Sequence, residues 1–152
     1  MDEKDRKILS LLMRDSKQRV RSIAKKLNMP VTTVHNRIKR MEEEGVIRGY
    51  VAIPDYKKIG KGIMAFILVS VQYNLLGKKV LQEDVAANIS ELEGVEDVHI
   101  ITGDSDILVE ARVRDIDELN NLVIKRLRNI DGVDKTKTMI VLSSINHLSN
   151  MK

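Results

Sequence analysis

The sequence predicts an α+β chain in which a helical first third precedes a βαββαβ unit. Three observations carry this. Apolar residues recur at helical spacing up to Gly45. Beyond residue 62, strand-like apolar runs alternate with helical ones. Two segments also repeat: "LEGVEDVHIIT" (92–102) and "IDGVDKTKTMI" (130–140) match at a spacing of 38, each a helix end, a glycine and a strand. Two βαβ halves joined by an internal hairpin make a ferredoxin-like split sheet.

The elements follow in order. Residues 3–14 place Ile8, Leu9, Leu11 and Leu12 on one helical stripe, with acids at the start that suit a helix N-terminus. Residues 20–27 carry Ile23, Ala24 and Leu27 at helical spacing, and "NMP" (28–30) breaks that helix. From 31 to 43, Val34, Ile38 and Met41 recur at i, i+4 and i+7, and Gly45 stops the helix. "VIRGYVAIP" (46–54) favours a strand, and "DYKKIGKG" (55–62) reads as a linker. The sequence thus divides into helices over 1–45, a hinge strand and linker over 46–62, and the βαββαβ unit over 63–152. In that unit we expect a strand over 63–73 and a helix over 78–92 carrying Leu81, Val85, Ile89 and Leu92. Strands over 95–102 and 107–113 flank the turn "GDSD". A helix then opens at Asp115, with Glu118 three residues on as a capping box, and ends before Gly132. The last strand is expected over 133–145.

Composition narrows the function. The longest apolar run, "GIMAFILVSV" (62–71), is strand-length and short of the ~18 residues that span a membrane. The charged start "MDEKDRK" shows no secretory signal, so a cytoplasmic location is expected. There is no cysteine, which excludes disulfides, thiolate nucleophiles and cysteine metal sites. The net charge of +4 is unevenly placed: residues 1–54 carry 13 Lys/Arg against 7 Asp/Glu, and residues 55–152 carry 13 against 15. A basic part joined to a slightly acidic one fits a polyanion partner on the first, although an ordinary solvated surface has the same count.

The stretch "PVTTVHNRIKRMEEEGVIRGY" (30–50) sharpens this. With Val34, Ile38 and Met41 facing a core, Thr32, Asn36 and Lys39 point outward, Thr33, Arg37 and Arg40 lie on one flank and His35 on the other. Asn pairs bidentately with adenine and Arg with guanine, so Thr32, Thr33, Asn36 and Arg37 are the candidate base readers. Lys39 and Arg40 suit phosphates. The acids 42–44 fall at the far end. A helix of this kind after another helix and a short turn is the helix-turn-helix order, and double-stranded DNA the expected partner. A solvated helix of a small bundle is the alternative.

Catalytic motifs are absent. His35, His99 and His147 are scattered over three elements without metal-ligand spacing, and no P-loop, GxSxG or GxGxxG occurs. Neither a cofactor nor a metal is expected. The turn "TGDSD" (102–106) reads as a hairpin or as an effector pocket. In the second reading, backbone N–H groups at Gly103 and Asp104 suit a carboxylate, and Asp104 and Asp106 an ammonium. Thr102, Thr136 and Thr138 lie on strands that a split sheet can bring alongside.

The chain resembles the Lrp/AsnC (feast/famine) family of transcription regulators. The matching stretches are "DEKDRKILSLLMRD" (2–15), "IAKKLNMPVTTVHNRIKRMEEEGVIRGYVAI" (23–53), "IGKGIMAFILVSV" (59–71), "TGDSDILVEARV" (102–113) and "GVDKTKTMIVL" (132–142). The resemblance implies a winged-type helix-turn-helix, a hinge strand, and a ferredoxin-like domain that dimerises, assembles to higher even oligomers such as octamers, and binds a small effector, commonly an amino acid, around the 102–106 turn. Three residues depart from the family pattern. Pro30 stands where a Ser usually caps the recognition helix, and Arg19, which suits a phosphate, where a Ser/Thr precedes the helix before it. Ser105 replaces the aromatic of the Gly-Asp-aromatic-Asp turn, which leaves room for a polar or basic amino acid. Two other readings stay open beside the regulator: an enzyme like the siroheme decarboxylases, which are similar to the family in fold, and an architectural DNA-compacting protein.

Overall fold

The computed structural model of the protein describes residues 1–75 and 77–145. The described chain forms two compact units, Met1–Ile53 and Pro54–Ile145.

The first unit holds three helices: α1 (Glu3–Arg14), α2 (Val20–Leu27) and α3 (Val31–Glu43). Their apolar stripes meet in one core of Ile8, Leu12, Ile23, Ala24, Val34 and Met41, with Ile38 and Ile47 packed against it. The predicted spacings are therefore those that bury. Asn28 takes a left-handed conformation and ends α2, and the Met29 N–H donates to the Ala24 C=O at 3.0 Å. Neither α2 nor α3 receives a side-chain cap, because Arg19 and Pro30 occupy the cap positions.

No strand forms over 46–54. Ile47 is tied back by its N–H to the Met41 C=O at 2.9 Å, but residues 48–54 make no backbone hydrogen bond among the described residues. A strand exists only through a partner, and the described residues supply none. Val51 and Ile53 are left 83% and 69% exposed.

The second unit is the expected split sheet. Its strands are β1 (Ile63–Val71), β4 (Val95–Ile100), β5 (Ile107–Val113) and β6 (Val133–Ile140), in the order β4-β5-β1-β6, all neighbours antiparallel. A hairpin of β2 (Asn74–Leu75) and β3 (Lys78–Lys79), not anticipated from the sequence, precedes helix α4 (Gln82–Ser90). That helix is shorter than expected because Lys78 and Lys79 are used in the hairpin. Helix α5 (Ile116–Asn120) continues as wider π-type turns over Asn121–Arg126 and a tight turn over Leu127–Asn129. Its cap is half the expected box. Asp115 accepts the Glu118 N–H at 2.9 Å, but Glu118 accepts from Arg114 rather than from Asp115.

Strand β6 ends at Ile140 rather than 145. Its one neighbour, β1, runs out there, the last bond being Val141 N–H to the Met64 C=O at 2.9 Å. Strand β4 ends at Ile100, where the Ile101 N–H turns to the Asp106 C=O at 2.8 Å.

Alternation sets the layers. Ala65, Ile67 and Val69 of β1 and Ile107, Val109, Ala111 and Val113 of β5 are buried against Val85, Ile89, Leu119, Leu122, Val123 and Leu127 of the helical segments. Intervening residues point to the other face. There Met64, Phe66, Leu68, Leu108 and Arg112 are half-buried, and Met139 beside Phe66 is 39% exposed. The Arg112 guanidinium lies 3.8 Å over the Tyr56 ring, which fixes the linker turn at this face's edge.

Candidate functional site

Helix α3 carries the first candidate site. Val34 and Met41 are buried, and Thr32, His35, Asn36 and Lys39 are exposed. Thr33 is half-buried beside them. The outward row is thus short and polar, and Val31, 43% exposed, adds an apolar tip at its N-terminal end. Arg19 is exposed at the start of α2. Lys39 is held loosely by Glu43 at 3.5 Å, both side chains largely in solvent, an arrangement that stabilises little and releases readily.

Arg37 departs from its expected place among the base readers. Its side chain is 21% exposed and its Nη1 donates to Asp2 Oδ2 and Asp5 Oδ1, each at 2.7 Å. Arg40 Nη2 donates to Asp5 Oδ2 at 2.7 Å, and its Nε lies 3.8 Å from Glu44. Both arginines of α3 therefore turn toward the N-terminus of α1. There Asp2 and Asp5 form a reciprocal capping box, each carboxylate accepting the other residue's backbone N–H, at 2.9 and 2.8 Å. Asp5 has no exposed surface at all. The sequence signal for it was an acid at the head of a buried stripe, three residues before Ile8 and seven before Leu12. Read only as charge near a helix end, it concealed a buried ion pair.

These contacts lower both carboxyl pKa values. The Asp5 N–H bond and then Arg37 pull Asp2 down to about 2. The Asp2 N–H, Arg37 and Arg40 hold Asp5 below the ordinary carboxylate range against its burial. A group depressed on folding stabilises the fold above its unfolded pKa, about 3.9 for Asp, and loses that contribution as pH falls through the folded value. We therefore expect amide-exchange protection of α1 to drop between pH 4 and 2. In Asp2→Asn this loss should be smaller. An equal loss in the variant would assign the acid sensitivity elsewhere.

The second candidate site is the 102–106 turn. Thr102, Gly103 and Asp104 are exposed and Ser105 is half-buried. Asp106, which the sequence suggested for a ligand ammonium, already has partners within the chain. Its Oδ2 accepts the Val71 N–H at 2.7 Å and its Oδ1 the Tyr73 hydroxyl at 2.5 Å, a bond that also raises the Tyr73 pKa. Its backbone C=O accepts from Gln82 Nε2 at 2.6 Å. Asp106 thus ties the ends of β1 and α4 to the turn and leaves Asp104 as its exposed carboxylate. Thr136 sits at the same end of the sheet, across β1, paired with Val69, and its Oγ1 accepts from Arg128 Nε at 2.8 Å. Thr138 lies one pleat further along, opposite Ile67, so one chain does not gather it with the turn. Tyr73, Gln82 and Arg128 went unnoticed in the sequence, having no motif spacing; only the fold brings them here.

Among the described residues no group of three or more His, Asp or Glu is placed to hold a metal ion. His35 and His99 are exposed on separate units, and His147 lies outside the described residues. No helix described is long and apolar enough to cross a membrane.

Known proteins share this arrangement. Residues 1–48 match the winged helix-turn-helix DNA-binding family, and residues 64–151 the Lrp/AsnC ligand binding domain. The HTH-type transcriptional regulator FL11 of Pyrococcus horikoshii is 38% identical over 144 residues, covering 95% of this chain and 91% of that one. An HTH-type transcriptional regulator of Pyrococcus furiosus is 37% identical over 145 residues, 95% of each chain. Among solved structures, a Neisseria meningitidis transcriptional regulator in complex with L-Met superimposes with a TM-score of 0.88 at 26% identity, over 100% of this chain and 96% of that one. AsnC of E. coli gives 0.80 at 26%, over 95% and 93%. These matches support neither a decarboxylase nor a DNA-compacting protein.

Proposed function

Because the chain belongs to the Lrp/AsnC family of DNA-binding transcription regulators, we propose that it reads a two-fold operator with α3 and answers to an amino acid bound at the 102–106 turn. The observation that carries the first part is the exposed row Thr32, Asn36 and Lys39, positioned by Val34 and Met41 buried behind it. Thr32, Thr33 and Asn36 read base edges, with Asn36 bidentate on an adenine. Arg19 and Lys39 hold phosphates, whereas Arg40, expected on a phosphate from the sequence, is held at Asp5.

Asn36→Ala should cost about 1–3 kcal/mol on a site selected from random duplexes and little on random DNA. Lys39→Ala should weaken both and reduce the salt dependence by about one unit. Equal losses on both duplexes for Asn36→Ala would reverse the assignment of reader and anchor.

The half-buried apolar sheet face and the 48–54 segment, which makes no backbone hydrogen bond among the described residues, support a dimer. A regulator with an apolar sheet face only half-buried and an apolar hinge beside it in sequence meets both needs with a second copy. Two copies then address half-sites about one duplex turn, ~34 Å, apart, and higher even oligomers such as octamers form by further pairing of dimers. A cytoplasmic location accords with a DNA partner.

The effector reading rests on the exposed turn. The L-Met complex of the Neisseria protein names an amino acid as ligand in a relative of the same fold. In this chain Thr102, Gly103, Asp104 and Ser105 offer N–H donors and one free carboxylate, Thr136 a hydroxyl, and Thr138 a second that a neighbouring copy brings close. Ser105 favours a polar or basic side chain. In a thermal-shift screen of the twenty amino acids, at least one should stabilise the protein, and Asp104→Ala should abolish that shift. The same shift in the variant would leave the turn as a turn.

A further inference from the structure

Ion pairs in the first unit are unevenly distributed. All three cations of α3, namely Arg37, Lys39 and Arg40, are paired with acids. Arg19, Arg21 and Lys25 of the preceding helix have no acidic partner among the described residues. A DNA-binding unit therefore leaves free cations on the helix that crosses the backbone and neutralises those on the helix that reads.

For the two arginines the shared neutralising group is Asp5. It is fully buried at the head of the Asp5–Ile8–Leu12 stripe. Capping α1 needs one acceptor, the Asp2 Oδ1 that takes the Asp5 N–H. Asp5 adds a second carboxylate whose two oxygens accept from the Asp2 N–H, Arg37 and Arg40. Charge-assisted bonds of this kind are short and directional, so they hold a guanidinium rather than merely attract it.

We propose that Asp5 is a specificity-determining residue of the DNA-binding unit: it restrains Arg37 and Arg40 and so keeps two sequence-blind phosphate contacts from competing with the readout by Thr32 and Asn36. The physical ground is that phosphate contacts fix the protein's register on the duplex, and two unrestrained ones can be made in registers where Thr32 and Asn36 miss their bases, so they stabilise random complexes more than the one aligned complex. Each cation released to the backbone raises affinity for random DNA and steepens its salt dependence by about 0.9. Restraint of two cations thus trades total affinity for discrimination. Asp5 does this without touching DNA, which makes it a positioning residue. The proposal rests on α3 being the reading helix.

The test uses the full chain, a duplex selected as its best binder from a random pool, and a random duplex of the same length, each titrated over a salt series. Asp5→Asn keeps the side chain's shape but gives up its charge. It should bind random DNA severalfold more tightly, with a salt slope steeper by about one to two, and its ratio of selected to random affinity should fall about tenfold or more. Adding Arg37→Gln and Arg40→Gln to Asp5→Asn should return the slope and the random-DNA affinity toward the wild type. A residue needed only for folding would lower both affinities together and leave the slope unchanged, and that outcome overturns the proposal. If Asp5→Asn does not fold, Asp2→Asn takes its place, since Asp2 is 53% exposed and also holds Arg37. Its slope should steepen by less than one unit, and no change overturns the proposal. A wild type that prefers no selected duplex would overturn the reading of α3 and this proposal with it. A wild type that discriminates and an Asp5→Asn that discriminates equally would overturn this proposal alone.

Discussion

Phe66→Asp is expected to turn the protein into a monomer at micromolar concentration, as measured by light scattering, where the wild type is expected to scatter as the proposed dimer or a larger even assembly. Phe66 sits in the middle strand pair of the open sheet face, between Glu110 of β5 and Met139 of β6. Burying a Phe side chain contributes about 1.5–3 kcal/mol. An isologous interface uses each residue twice, so losing both copies costs at least about 3 kcal/mol, roughly a hundredfold in dissociation constant. The added carboxylates must also be desolvated, which makes the loss larger. Phe66 is half-buried and lies outside the core packed between sheet and helices, so the variant should fold and keep its circular dichroism. A variant with the assembly state of the wild type would place the dimer contact elsewhere.

Gly132→Ala should destabilise the second unit by about 2–5 kcal/mol in chemical denaturation. Two costs add. The residue has φ +93, a region that L side chains rarely adopt, at a penalty of about 1–2 kcal/mol. A Cβ there would also stand 2.6 Å from Val80 Cγ1 and 2.9 Å from Val85 Cγ2. Val85 is a buried core residue of α4, so it has little room to yield, and overpacking of this kind costs about 1–3 kcal/mol. Gly103→Ala separates the two terms. Its φ is +127, but nothing lies within 4 Å, so only the backbone penalty should appear. Equal effects at the two sites would mean that the valines move aside.

Much of the fold was legible because local signals and burial agree. The stripes of α1, α2 and α3 and the alternation in β1 and β5 are set by which residues go inside, and that choice is written in their spacing. The β2–β3 hairpin was not legible. Two residue pairs carry no periodicity, and Lys78 and Lys79 read equally well as the start of a helix. Nor was the end of β6, since Val141, Leu142 and Ile145 are as strand-like as the residues before them and only the length of β1 stops the ladder. The site was legible where it depends on one helix. Thr32, Asn36 and Lys39 share a face by geometry alone. It was not legible where distant segments meet. Arg37 and Asp5 are 32 residues apart, and a helical wheel shows Arg37 on a flank without showing what lies against that flank. The partners of Asp106 were hidden for the same reason, because Tyr73 and Val71 arrive from another strand's end.

The segment 48–54, free of backbone hydrogen bonds among the described residues, has a consequence for how strongly an operator is held. Seven residues reach at most about 25 Å. In the proposed dimer each reading unit is thus on a short tether. The local concentration of the second unit at its half-site is then on the order of millimolar. A half-site held alone with a dissociation constant on the order of 10 µM would gain about a hundredfold from that tether. The gain vanishes when the half-sites lie beyond the tether's reach. Affinity is then a function of the distance between half-sites as much as of their bases, and each residue deleted from 48–54 narrows the tolerated distances by about 3.5 Å per tether.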